Sequence, residues 1–100
     1  MNELERELYR EMLKIYRRAL VETGYNATRF LQMLQSYGGV KTAKKLLSSS
    51  ISEGYIALWE RGRLDLTVEA LILNEKWNPL FSDHEREVAR ERLMAFGYIG

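Results

Sequence analysis

Cysteine is absent from this chain, and with it any disulfide framework, thiolate nucleophile or zinc-finger ligand set. Proline occurs once, at Pro79, and histidine once, at His84. A single histidine cannot supply the paired ligands of His-Glu-x-x-His, and neither Gly-x-x-x-x-Gly-Lys-Ser/Thr nor Gly-x-Gly-x-x-Gly occurs. No stretch approaches the roughly 18 apolar residues of a membrane span. The N-terminus, Met1-Asn2-Glu3-Leu4-Glu5-Arg6-Glu7-Leu8, is acidic and amphipathic, without the basic start and apolar run of a signal peptide. The expectation is a cytoplasmic protein that does not enter a membrane. There is no strand pattern, internal repeat or low-complexity tract. No acid occurs between Glu22 and Glu53.

What is present is an ordinary globular composition. Hydrophobic residues make up 46% of 100 residues, enough for one domain with its own core and no staple. The net charge of +1 is unevenly spread: residues 1–13 carry −2, residues 14–63 carry +6 and residues 64–100 carry −3. A positive middle in a near-neutral chain points to an anionic partner or an acidic surface of another subunit.

Helical periodicity and punctuation divide the chain. Leu4, Leu8, Met12, Ile15 and Ala19 recur at spacings of four and three, predicting a helix over 2–23 stopped by Gly24. Asn26 is a good N-cap for a second helix burying Ala27, Phe30, Leu31 and Leu34, and Gly38-Gly39 closes it. A third helix over 40–48 buries Val40, Ala43, Leu46 and Leu47. Ser52 caps a fourth that carries Tyr55, Ile56, Leu58 and Trp59. Ser82 and Glu85 form a capping box for the last helix, which runs to Phe96 with Gly97 as its stop. The chain beyond Gly97 is expected to fray.

The most apolar stretch is Gly62 to Leu73. Leu66, Val68, Ala70, Leu71, Ile72 and Leu73 would point almost all round a helix, so it should be buried on most sides. It is read as a central helix over about 65–77, capped by Asp65 and ended by Pro79. The predicted fold is all-α: a compact single-domain bundle of five to seven short helices around that segment.

Candidate chemistry is sparse. His84 stands in a polar first turn, where a general base would need a nucleophile and an orienting partner. The acids near it alternate with arginine and read as a solvated face. No catalytic residue, metal ligand or cofactor is assigned. The basic middle gives a nucleic-acid-binding candidate set of Arg17, Arg18, Arg29, Lys41, Lys44 and Lys45, with Tyr25, Tyr37 and Tyr55 interleaved. The helix after Gly38-Gly39 would present lysines and Thr42 to a groove, supplying charge rather than base readout. Trp59, Trp77, Phe30, Phe81 and Phe96 are expected in the core. Tyr9 and Tyr16 flank the wide apolar stripe of the first helix and are the candidate interaction surface for a homo-oligomer or partner domain. Arg63 and Asp65 read as a helix-entry pair.

Several blocks, Glu22-Thr23-Gly24-Tyr25, Arg29-Phe30-Leu31, Gly38-Gly39 with Ala43-Lys44-Lys45-Leu46-Leu47, Leu58-Trp59-Glu60 and above all Gly62-Arg63-Leu64-Asp65-Leu66-Thr67-Val68-Glu69-Ala70, together with Leu80-Phe81-Ser82-Asp83 and Ala89-Arg90-Glu91-Arg92-Leu93, resemble a family of small, uncharacterised bacterial helical proteins. The resemblance implies an all-helical fold and carries no activity or functional residue. Similar segments fused to nuclease-like proteins would imply an accessory role near DNA. The functional expectation is a non-enzymatic protein–protein interaction or accessory module, with charge-driven nucleic-acid binding as the alternative.

Overall fold

The computed structural model of the protein describes residues 2–99, and among them there are six α-helices, two short 3-10 segments and no strand. The helices are α1 Glu3–Thr23, α2 Thr28–Tyr37, α3 Gly39–Ser48, α4 Glu53–Glu60, α5 Val68–Ile72 and α6 Asp83–Ala95. The 3-10 segments are Leu64–Leu66, before α5, and Glu75–Leu80, after it. The all-α bundle expected from periodicity is what the chain forms.

α1 begins with a capping box. The Asn2 side chain accepts from Glu5 N at 2.8 Å and the Glu5 carboxylate accepts from Asn2 N at 3.4 Å. It ends at Gly24, whose φ of 77° lets Gly24 N and Tyr25 N reach back to Leu20 O and Ala19 O. Its inward stripe of Leu8, Met12 and Ala19 is fully buried. α1, α2 and α3 pack on one another, α3 also touches α6, and α5 lies on α6. The Gly38-Gly39 pair does two different jobs. Gly38 turns the chain at φ 81°, whereas a Cβ on Gly39 would sit 3.3 Å from the Tyr9 backbone and 3.2 Å from Met12 Sδ. Gly39 therefore sets how closely α3 approaches α1.

The main core gathers Leu8, Met12, Leu34, Ala43, Leu47, Val68, Ile72, Trp77, Phe81 and Ala89. Residues 64–72 are buried at Leu64, Leu66, Thr67, Val68, Glu69 and Ile72 and run through three apolar clusters: Val68 and Ile72 in the main core, Leu66 with Ala19 and Leu58, and Leu64 with Tyr55 and Leu93. They do not form the single helix over 65–77 that the apolar run predicts. Thr67 breaks it with extended geometry, φ −86° and ψ 158°. Its hydroxyl donates to Leu64 O at 2.7 Å and accepts from Ala70 N at 3.1 Å, so one side chain closes the 3-10 turn and caps α5. Asp65 is not the cap. It holds Arg63 through contacts of 3.0 and 3.1 Å. A five-residue helix is far below the length that is stable alone; α5 persists because its sides are buried.

Three other expectations are corrected. Asn26 does not cap α2, whose N-cap is Ala27 without a side-chain bond; Asn26 Oδ1 accepts instead from the Tyr16 hydroxyl at 2.7 Å. Trp59 is not in the core. It is exposed, with its ring edge-on to Phe96 at 5.3 Å, because the buried face of α4 is taken by Tyr55 and Leu58. The segment after α6 does not fray up to Ile99: Gly97 turns at φ 79°, Tyr98 N bonds Leu93 O at 2.9 Å, and Ile99 packs on Tyr55, Leu64 and Leu93. Gly100 lies outside the described residues.

An ion-pair cluster ties the end of α1 to the first 3-10 turn. Glu22 accepts from Arg18 at 2.7 Å and from Arg63 at 2.8 Å. These bonds hold its carboxyl at about 2, well below the ordinary 4.5. A carboxylate pKa depressed on folding adds stability above its unfolded value and loses it as pH falls through the folded value. The wild type should therefore lose melting temperature faster than Glu22→Gln between about pH 4.5 and pH 2. Thermal melts across that window check this; parallel curves would contradict it.

Candidate functional site

A large concavity lies between α1–α2 on one side and the α3–α4 connection on the other. It is an open cleft of about 830 Å³, within the roughly 300–1,000 Å³ of ligand-binding clefts. Each wall follows from local sequence. α2 leaves Phe30 and Met33 half-buried, because only Leu34 is taken fully into the core. α3 contributes Leu46, and the floor is Ile15, Ala19, Leu58, Leu66 and Val68. The Ser48-Ser49-Ser50-Ile51-Ser52 stretch runs along the edge. Beside the four serines Phe30, Met33 and Leu46 stay half-buried, and Ile51, the one large apolar side chain of the stretch, is itself exposed. Tyr25 closes one end. Its backbone N–H bonds Ala19 O and Thr23 Oγ1, and its hydroxyl lies against Gly54 of α4.

The polar groups of the cleft differ sharply in how free they are. Glu69 is buried and its carboxylate accepts from Arg92 Nη1 at 3.0 Å. Arg92 also donates to the carbonyls of Leu46 and Leu47 at 3.1 and 3.4 Å and to that of Ser49. The acid is thus charge-paired and held in place. The Tyr55 hydroxyl is buried without a hydrogen-bond partner, and burial, with the charge of Glu69 beside it, pushes it up to about 12. On the rim, Arg29 and Lys45 are exposed and make no ion pair among the described residues. Lys45 lies 4.7 Å from the centroid of the Tyr37 ring, and Arg61 lies 5.1 Å from that of Tyr25. Such stacking places the charges without neutralising them.

The six basic residues singled out from sequence do not form one free face. Lys41 and Lys45 lie over Tyr37, at 5.5 and 4.7 Å from the ring centroid, and Arg29 lines the cleft. Lys44 instead reaches α6 and pairs with Glu85 at 2.8 Å. Arg18 is held by Glu22. Arg17 is exposed on α1 and outside the cleft lining. Of the two tyrosines, Tyr16 lines the cleft, while Tyr9 is packed against the main core. His84 is exposed on α6, away from the cleft lining. No group of three or more His, Asp or Glu is placed to hold a metal among the described residues. No helix among them is long and apolar enough to cross a membrane.

Comparison with protein-family models, with curated proteins and with solved structures gives no match. Phe30 and Leu46 read locally as the buried faces of their helices and Met33 as flanking one, so sequence reasoning missed them, with Ile51, as site residues. The one available signal was the serine run, a connection too polar to cover the helices it joins.

Proposed function

We propose that this protein is a non-enzymatic interaction or accessory module whose cleft receives an apolar segment of a partner protein. The observation that carries the reading is the open cleft between α2 and the α3–α4 connection, with Phe30, Met33 and Leu46 left half-buried along it. A concave cleft lined mainly by apolar side chains with a few polar groups is the default place for a small domain to bind. The fixing of Glu69 by Arg92 supports binding over chemistry, because the buried acid is already committed. The alternative, charge-driven nucleic-acid binding, rests on Lys41 and Lys45 over Tyr37 with Arg29 on the cleft rim, and loses the free charge of Arg18 and Lys44 to ion pairs.

Fluorescence anisotropy separates the two. A labelled, uncharged amphipathic helical peptide with a leucine and phenylalanine face should bind the wild type. It should bind Met33→Glu/Ile51→Glu at least about tenfold more weakly, as charges on an apolar contact surface require. A labelled DNA duplex at about 50 and 200 mM salt is the second arm. Steeply salt-dependent duplex binding, abolished by Lys41→Glu/Lys44→Glu/Lys45→Glu and untouched by the cleft variant, would replace this reading with the alternative.

A further inference from the structure

We infer that the segment the cleft takes is an amphipathic helix flanked by acidic residues; this rests on the reading of the cleft as a protein-docking site. Two features of the cleft select it. The first is the nature of the floor. It is built from side chains of helices, and no strand edge is present among the described residues to pair with an extended peptide. A guest lying on such a surface must satisfy its own backbone hydrogen bonds, which a helix does. Its apolar face then meets Phe30, Met33, Leu46 and Leu58.

The second feature is charge. Arg29 and Lys45 stand on the rim without carboxylate partners among the described residues, and Arg61 stacks over Tyr25 where the cleft closes. Of the two acids in the lining Glu69 is spent on Arg92, which leaves Glu53 as one exposed acid against the two cations of the rim. An apolar floor with a cationic border complements a helix whose apolar stripe is bordered by Asp or Glu, and repels one bordered by Lys or Arg.

The test is a series of peptides that share one leucine and phenylalanine face and differ only in the polar face, glutamate-rich, glutamine-rich or lysine-rich. Affinities are measured by anisotropy on the wild type and on Arg29→Glu/Lys45→Glu. Both substituted positions are exposed, and an unchanged melting midpoint confirms that the variant folds. The glutamate peptide should bind the wild type about five- to tenfold tighter than the glutamine peptide, the effect of two solvent-exposed ion pairs. The lysine peptide should bind weakest. The order should reverse in the variant, and about 1 M salt, where the Debye length is about 3 Å, should flatten it. Equal affinities for the three peptides, or tightest binding of the lysine peptide to the wild type, would overturn the inference and leave the cleft reading standing. Failure of all three to bind would overturn both.

Discussion

Replacing Arg92 with alanine is expected to destabilise the fold by about 3–5 kcal/mol, the cost of leaving a buried acid unpaired. The Arg92 side chain is 12% exposed and that of Glu69 6%, so water reaches neither group freely. The guanidinium satisfies Glu69 on α5 and the carbonyls of Leu46, Leu47 and Ser49 at the end of α3. A helix C-terminus leaves its last carbonyls without intrahelical partners, and Arg92 supplies donors for them from α6. Its loss would strand one charge and several acceptors together. Against a total stability of about 5–15 kcal/mol for a small domain, a large share of the molecules would unfold at 37 °C. Urea unfolding measures the change. A double replacement, Glu69→Met/Arg92→Met, should recover much of the loss, because removing both charges removes the orphaned group. A cost below about 1 kcal/mol for Arg92→Ala would show that the pair is solvated and that this latch does not exist.

Trp77→Ala should cost about 3–5 kcal/mol, the usual range for deleting a buried tryptophan. The segment Glu75–Leu80 has little to hold it otherwise. Its 3-10 hydrogen bonds have poor geometry, Pro79 removes a donor, and its cap is the Asn74 side chain accepting from Lys76 N at 2.9 Å. The Lys76–Glu7 pair at 2.9 Å is solvent-exposed on the lysine side and should contribute little, as exposed ion pairs do. What remains is Trp77, 2% exposed and part of the core cluster that holds Leu8 and Met12 of α1. Trp77→Ala should therefore also expose the amides of 75–81 to hydrogen exchange, whereas Lys76→Ala should leave them protected. Equal effects of the two substitutions would mean that the ion pair, not the ring, anchors the segment.

Much of this architecture can be read from local signals, because helix ends are decided by a few neighbouring atoms. Gly24, Ser52 and the Ser82–Glu85 box end or begin helices where their chemistry says they should. The break at Thr67 could not be read that way. Threonine in an apolar run is compatible with a helix, and its capping role depends on Leu64 O, which arrives only when the preceding turn forms. Glu69 reads as a lone exposed position until Arg92, distant in sequence, is folded against it. Trp59 has the spacing of a core residue, yet what it meets is Phe96 from beyond α6. The cleft was the least legible feature of all. Its lining comes from α1, α2, α3, α4, the turn before α5 and the start of α5, and whether Phe30 or Leu46 is covered is decided by how far the serine connection reaches. Basic residues were visible in sequence, but their freedom was not: Lys44 and Arg18 are matched by acids whose positions only the fold fixes.

The most direct measurement is a chemical-shift map of the isotopically labelled protein titrated with the glutamate-flanked amphipathic peptide, read at backbone amides and at methyl groups. Saturable shifts are expected at Ile15, Met33, Leu46, Leu58 and Val68, which line the cleft. None is expected at Ala89 or Leu93, buried on α6. Shifts confined to the exposed surface of α6, or no shifts at peptide concentrations that saturate weak binders, would contradict the claim that this cleft is where the protein meets its partner.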